Sequence, residues 1–175
     1  AAYPDIVTRT PDRKYKALEI SLTKRLSNKW QLFASYVYSS EKGSYPNSHG
    51  YGQTLNMGRS AMFYNPNNQI NMYGHSVINV PHVVKIQGTY FLPFDFIFSG
   101  FYTYHSGLKW SRRILITGLK QGPIYILTEP AGSRRMPDAN NLDLRLEKSF
   151  NVKNYAFRFM LDVFNVFNQG RETGV

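Results

Sequence analysis

In a chain of 175 residues without cysteine, the side chains suited to proton transfer or metal ligation are His49, His75, His82 and His105. Their spacing supports neither role. None occurs as HxxxH or HExxH, so no helix face would offer two imidazoles to a zinc ion. There is no GxSxG elbow to expose a nucleophilic serine and no GxxxxGKS loop to cradle a phosphate. The missing cysteines remove disulfides, thiolate metal sites and thiol nucleophiles together. The chain therefore reads as a non-enzyme with no cofactor. His49 and His75 share one long polar stretch, where contact with a ligand or metal chelate competes with plain solvation.

The chemistry left to the charged residues is pairing, hydration and docking. Glu19, Lys85, Asp143, Arg145, Glu147, Arg158 and Asp162 occupy alternating positions among apolar residues, so each set shares one face of a strand. A second set is basic. Lys and Arg exceed Asp and Glu, 21 to 11, for a net charge of +10. The excess gathers in Arg9, Arg13, Lys14 and Lys16, in Lys109, Arg112 and Arg113, and in Arg134 and Arg135. These clusters sit between or at the ends of the alternating segments, which puts them in loops on one rim. There Arg112, Arg113, Arg134 and Arg135, with His49 and His75, are candidates for an anionic ligand. No basic-aromatic RNA-binding signature is present, and nucleic acid is not expected as a partner.

The elements that carry these residues are strands. Aromatic residues make up 15% of the chain, with 13 Tyr and 12 Phe, which favours an all-β class. Alternation predicts strands over 13–25, 29–39, 82–92, 95–105, 140–150 and 155–166. In the last pair, Leu142, Leu144, Leu146 and Phe150, then Phe157, Phe159, Leu161 and Val163, form an uninterrupted apolar face opposite the charges. Setting Phe150 against Tyr155 across an Asn151–Asn154 turn pairs Leu146 with Phe159, Glu147 with Arg158 and Asp143 with Asp162. The first hairpin is expected to pair Leu22 with Leu32 and Leu18 with Tyr36, and the middle one to pair Gly88 with Gly100.

A long, bulky apolar face is what lipid selects in a barrel strand of about 9–11 residues. The eight steps from Trp30 to Tyr38, at ~3.3 Å each and a tilt near 40°, rise about 20 Å. That is close to the ~25 Å apolar band between aromatic girdles. No run approaches the ~18 apolar residues of a membrane helix, which a barrel does not need. Breaks near 26–28, 93–95 and 151–154 are short, while 40–81 and 106–139 are long, the asymmetry of inner turns and outer loops.

The runs LDLRLEKSF and FMLDVFNVFN resemble the C-terminal barrel region of TonB-dependent outer-membrane receptors, in particular the Oar-like group. YKALEISLTKRLSNKWQLFASYVYS, PHVVKIQGTYFLP, YTYHSGLKW and EPAGSRRMP look like successive barrel segments of the same family. The resemblance implies an antiparallel up-and-down meander of about six strands, part of a transmembrane barrel of about 22. It implies a Gram-negative outer membrane, with short periplasmic turns and long extracellular loops. With that membrane it implies outer-membrane lipid as a partner and lipopolysaccharide phosphates as further candidates to meet Arg112, Arg113, Arg134, Arg135, His49 and His75. It further implies energised uptake of a siderophore, glycan, peptide or similar ligand, a plug domain of the same full-length chain against the inward charges, and the TonB complex as a partner. The chain starts without Met or a signal segment and stops at Gly174-Val175, so both ends look cut from something longer. Plug, TonB-contacting segment and final strand are expected outside it. Two rivals remain: a soluble β-sandwich binding carbohydrate or another ligand, and a passive porin-type barrel.

Overall fold

The computed structural model describes residues 12–44, 70–76, 79–120 and 122–170. Within them the chain forms eleven strands and no helix: β1 Arg13–Ser27, β2 Trp30–Gly43, β3 Gly74–His75, β4 His82–Phe91, β5 Phe96–His105, β6 Lys109–Trp110, β7 Arg113–Ile116, β8 Ile124–Leu127, β9 Arg134–Arg135, β10 Ala139–Val152 and β11 Tyr155–Val163. The six long strands pair in the order β1-β2-β4-β5-β10-β11, every contact antiparallel, and β3 joins the outer end of β2. This is one up-and-down meander, open at β1 and β11 rather than closed into a barrel.

Directly opposed residues in antiparallel strands share a face, so register assigns the faces without ambiguity. One row reads Trp30–Tyr90–Phe98–Leu146–Leu161, and the next Leu32–Gly88–Gly100–Leu144–Val163. Above them run Ala34–Ile86–Tyr102–Leu142 and Tyr36–Val84–Tyr104. This face is apolar across all six strands except near the turns, where Lys24 opposes Leu32 and Lys148 interrupts the last hairpin opposite Phe96 and Phe159. It is bare: Ile20 is 56% exposed, Tyr90 46% and Leu161 63%. The only buried hydrophobic residues among those described are Ile124, Ala131 and Met136, all in the outer loop after β5. Among the described residues no second layer covers the apolar face. A β-sandwich requires one. An apolar face of this size on a single layer belongs against lipid.

The middle hairpin has the expected register, with Gly88 opposite Gly100. A methyl added at these glycines would meet Leu32 Cδ1 at 3.6 Å and Leu144 Cδ2 at 3.3 Å. The leucines beside them in the row, rather than neighbouring rings, fill the gap.

The two outer hairpins differ from expectation by two residues. Leu22 faces Ala34 and Leu18 faces Tyr38. Phe150 faces Phe157, because β10 runs on to Val152 and the turn contracts to Lys153 and Asn154. Tight two-residue turns win over longer ones. Asn28 and Lys29 both take positive φ (51° and 67°), the type I′ geometry that matches strand twist. An extra residue between Lys24 and Ser27 is absorbed as a bulge. The Lys24 ammonium holds it, donating to the Ser27 carbonyl and hydroxyl, each at 2.9 Å, and to the Trp30 carbonyl at 3.0 Å, while lying over the Trp30 ring. A shift of two leaves every side chain on its face but changes its partner.

The segments expected to be plain outer loops are partly built. β2 continues past residue 39 to Gly43, and residues 106–138 contain β6 paired with β9 and β7 paired with β8. Together with β3 these form a cap over one end of the sheet. Gly107 and Gly74 sit where a Cβ would lie 1.8 Å from the Met136 carbonyl oxygen and 2.0 Å from that of Ala131.

Candidate functional site: a charged inner wall and a basic outer cap

The face opposite the apolar one carries Glu19, Lys85, Asp143, Arg145, Glu147, Arg158 and Asp162, all in the same strand phase. The two-residue correction changes their partners. Asp162 does not face Asp143, the repulsive pairing expected from the longer turn; it faces Arg145. Arg145 grips it with two parallel bonds, Nε to Oδ1 at 2.5 Å and Nη2 to Oδ2 at 2.9 Å. Fork-on-carboxylate geometry of this kind is the strongest form of the pair. Glu147 lies 3.9 Å from Arg145 and 4.0 Å from Arg158, so it joins Arg158 diagonally rather than across the strands. Four of the seven thus form one alternating network, Asp162–Arg145–Glu147–Arg158.

Asp143 takes a different role. Its Oδ1 accepts from Asn141 Nδ2 and from the Asn165 backbone N–H, each at 2.9 Å. Asn165 has φ of 50°, and the chain rejoins the ladder where Val166 N–H donates to the Leu142 carbonyl. Asp143 therefore anchors the end of β11. Glu19, opposite Val37, and Lys85, between Ser35 and Thr103, stand apart from the network. Phe33 and Phe101 flank Gln87 on the same wall and are 43% and 40% exposed. With Val37, Val83, Phe91, Ile97 and Met160 they make this face a mixture of polar and apolar residues.

In the cap the arginines adjacent in sequence go separate ways. Arg134 Nε donates to Glu129 Oε1 at 2.6 Å, and the Arg112 backbone N–H reaches the same oxygen at 2.8 Å. These bonds hold the Glu129 carboxyl below the usual carboxylate range, Arg134 contributing most. The Arg134 guanidinium lies over Trp110 and that of Arg113 over Tyr125. Arg135 instead pairs across β9–β6 with Lys109.

Lys109 and Arg135 meet a third segment. His75 is paired with Lys42, which is paired with Lys14. Burial depresses the His75 pKa first, followed by the charges of Lys109 and Lys42, with Arg135 also contributing. Lys109 is lowered by burial and then by Arg135 and Lys42. The four groups share one electrostatic field. Among the described residues no carboxylate lies within 4.0 Å of Lys42, Lys109 or Arg135, whereas Arg13 is paired with the buried Glu41 at 2.7 Å. Asp138, the acid that feels Arg135, is bonded to the Tyr104 hydroxyl at 2.6 Å and the Gly107 N–H at 2.9 Å.

Of the six outer-loop candidates, His75 and Arg135 come together, Arg112 and Arg134 meet at Glu129, and Arg113 lies apart on Tyr125. His49 falls outside the described residues. Lys14 and Lys42 were missed as members of a shared group, although the signal was there. Both continue the phase of Leu18 and Tyr38, Lys14 within the expected strand 13–25 and Lys42 three residues past the expected end of the next strand at 39. Among the described residues no three His, Asp or Glu side chains gather closely enough to hold a metal ion.

A family model described as an outer membrane beta barrel domain matches residues 4–102. No curated protein and no solved structure matches the chain. The matched stretch covers the β1–β2 hairpin, β4 and most of β5, and membership carries with it the outer membrane of Gram-negative bacteria. On that match, and on a single-layer meander whose apolar side is bare, the chain belongs to the outer membrane beta barrel domain family.

Proposed function

We propose that this segment is part of the wall of a TonB-dependent receptor of the Oar-like group, a larger barrel that takes up a ligand too large or too scarce for passive diffusion. The single observation that carries the reading is the Asp162–Arg145–Glu147–Arg158 network on the inward face. An ordered charged lattice on an inner wall gives a plug domain polar contacts that form and break at little net cost, because each charge keeps a partner when the plug moves. The exposed Phe33 and Phe101 add an apolar foothold on the same wall. In this reading the plug of the full-length chain lies against these residues and the TonB complex remodels it. The outer loops select a siderophore, glycan, peptide or similar ligand, and no catalysis is assigned.

The test is uptake by cells expressing the full reading frame, with and without the energising complex. Accumulation that collapses when TonB is depleted supports the receptor. Accumulation undiminished by that depletion, with an open conductance in planar bilayers, makes the barrel a passive porin and overturns it.

A further inference from the structure

We propose that the basic group on the outer cap, Lys14, Lys42, His75, Lys109 and Arg135, binds the phosphates of an outer-leaflet glycolipid headgroup. This rests on the membrane-barrel reading above and adds a partner to it.

The argument starts from strand phase. Lys14, Lys42 and His75 oppose one another in a single row across β1, β2 and β3. That row belongs to the face which, four residues lower, carries Leu18 and Tyr38, and below them Ile20 and Tyr36. A side chain continuing the lipid-facing phase meets membrane components, while a solute inside the barrel meets the opposite phase. On that opposite phase, at the same height, Arg13 is already closed by Glu41.

Height gives the second step. Lys42 is twelve residues beyond Trp30 on β2, which at ~3.3 Å per residue and a tilt near 40° is about 30 Å. The apolar band is ~25 Å tall, so Lys42 and His75 rise into the headgroup layer just above it. Below it, past the Lys16–Ser40 row, the face becomes an aromatic belt. Tyr38 packs against His82 with ring centres 5.3 Å apart, and the Tyr36 hydroxyl is bonded to His82 Nδ1 at 2.9 Å.

Charge supplies the third step. Adjacent strands are ~4.8 Å apart, so the row spaces its cations closely enough for one phosphate to reach two of them. The β6–β9 ladder then brings Lys109 and Arg135 into the same field. Among the described residues the carboxylate nearest Lys14 is that of Asp12, at 3.9 Å, and the Lys14 side chain is 72% exposed. Like charges gathered in partly dehydrated surroundings repel, and a polyanion among them reverses the sign of every such interaction. A headgroup bearing phosphates on a rigid sugar frame offers several anionic oxygens at fixed separations, which suits a fixed lattice of donors on strands.

The experiment uses the full reading frame reconstituted into zwitterionic phospholipid vesicles with and without a bis-phosphorylated glucosamine glycolipid. Binding is measured for the parent, for the combined Lys42→Gln, Lys109→Gln and Arg135→Gln variant, and for the exposed control Lys120→Gln. At roughly fivefold per cation removed, the combined variant loses affinity on the order of a hundredfold, while Lys120→Gln binds as the parent does. Should the combined variant lack folded, heat-modifiable mobility, Lys42→Gln alone carries the comparison with about a fivefold loss. Parent-like binding by the charge-depleted protein overturns the proposal. So does inorganic phosphate that fills the site as tightly as the glycolipid, which would make it a site for soluble anions. Failure of the parent to insert into vesicles at all is read separately, by protease protection, and brings down the barrel reading instead.

Discussion

The wall and the cap of this molecule are held together by opposite means. Across the six long strands the large apolar side chains are exposed, and the wall has no interior of its own; lipid is its second layer. The cap keeps its own small interior. Ile124, Ala131 and Met136 are buried there, along with Glu41, Ser76 and Ser106, and glycines admit close backbone approach at residues 74 and 107. Charges follow the same division. On the wall Asp162, Arg145, Glu147 and Arg158 neutralise one another, while in the cap Lys42, Lys109 and Arg135 have no carboxylate within 4.0 Å among the described residues. The lesson is that the wall depends on its surroundings and the cap on its own packing, so substitutions should separate the two.

The largest effect is expected on the wall. Leu144→Arg puts a cation on the lipid-facing row beside Gly100 and should cost about 2–4 kcal/mol of membrane assembly. Asp143→Asn, one residue away on the other face, should leave assembly nearly intact. The check is the fraction with folded, heat-modifiable mobility after refolding into vesicles; equal tolerance of the two changes would erase the distinction between faces.

Next comes Gly107→Val, whose branched side chain would start 1.8 Å from the Met136 carbonyl oxygen. Overpacking of this kind typically costs about 1–3 kcal/mol. It should raise protease cleavage within the outer segment without reducing insertion. Loss of insertion would show that wall and cap are one cooperative unit.

The smallest effect is a pH response confined to the cap. His75 has its pKa lowered from 6.5 by burial and by Lys109, Lys42 and Arg135, against the opposing bond to the Glu41 carbonyl. The opened cap therefore binds more protons than the closed one as pH falls below 6.5, and closure weakens in that direction while remaining unaffected above it. Cleavage of the outer segment should accelerate on acidification and lose that acceleration in His75→Gln, with the wall unchanged in both.

How much of this was legible beforehand follows from the same physics. Alternation reports which side chains share a face, and the seven wall charges named from the sequence share the face opposite the apolar one. Alternation is blind to a slip of two residues, because such a slip preserves both faces. The Asp143–Asp162 clash was therefore an artefact of an overlong turn, and the left-handed conformations of Asn28, Lys29 and Lys153 that shorten the turns are not encoded by a glycine. The basic group was illegible for a different reason. Residues 42, 75, 109 and 135 come from separate segments joined only by two-residue ladders, and nearness in sequence grouped Arg134 with Arg135 when their side chains go to different partners.

The turns at Asn28–Lys29, Pro93–Asp95 and Lys153–Asn154 also bear on how the meander comes into being. Each joins two long strands through four residues or fewer, so these three hairpins are low-contact-order units able to zip on the microsecond scale. Joining β2 to β4 and β5 to β10 instead requires closure of chain segments of more than thirty residues, a slower and entropically dearer event. By this contact-order argument each hairpin closes before neighbouring hairpins join, and the slower joining governs how long their unpaired backbone is at risk of aggregation.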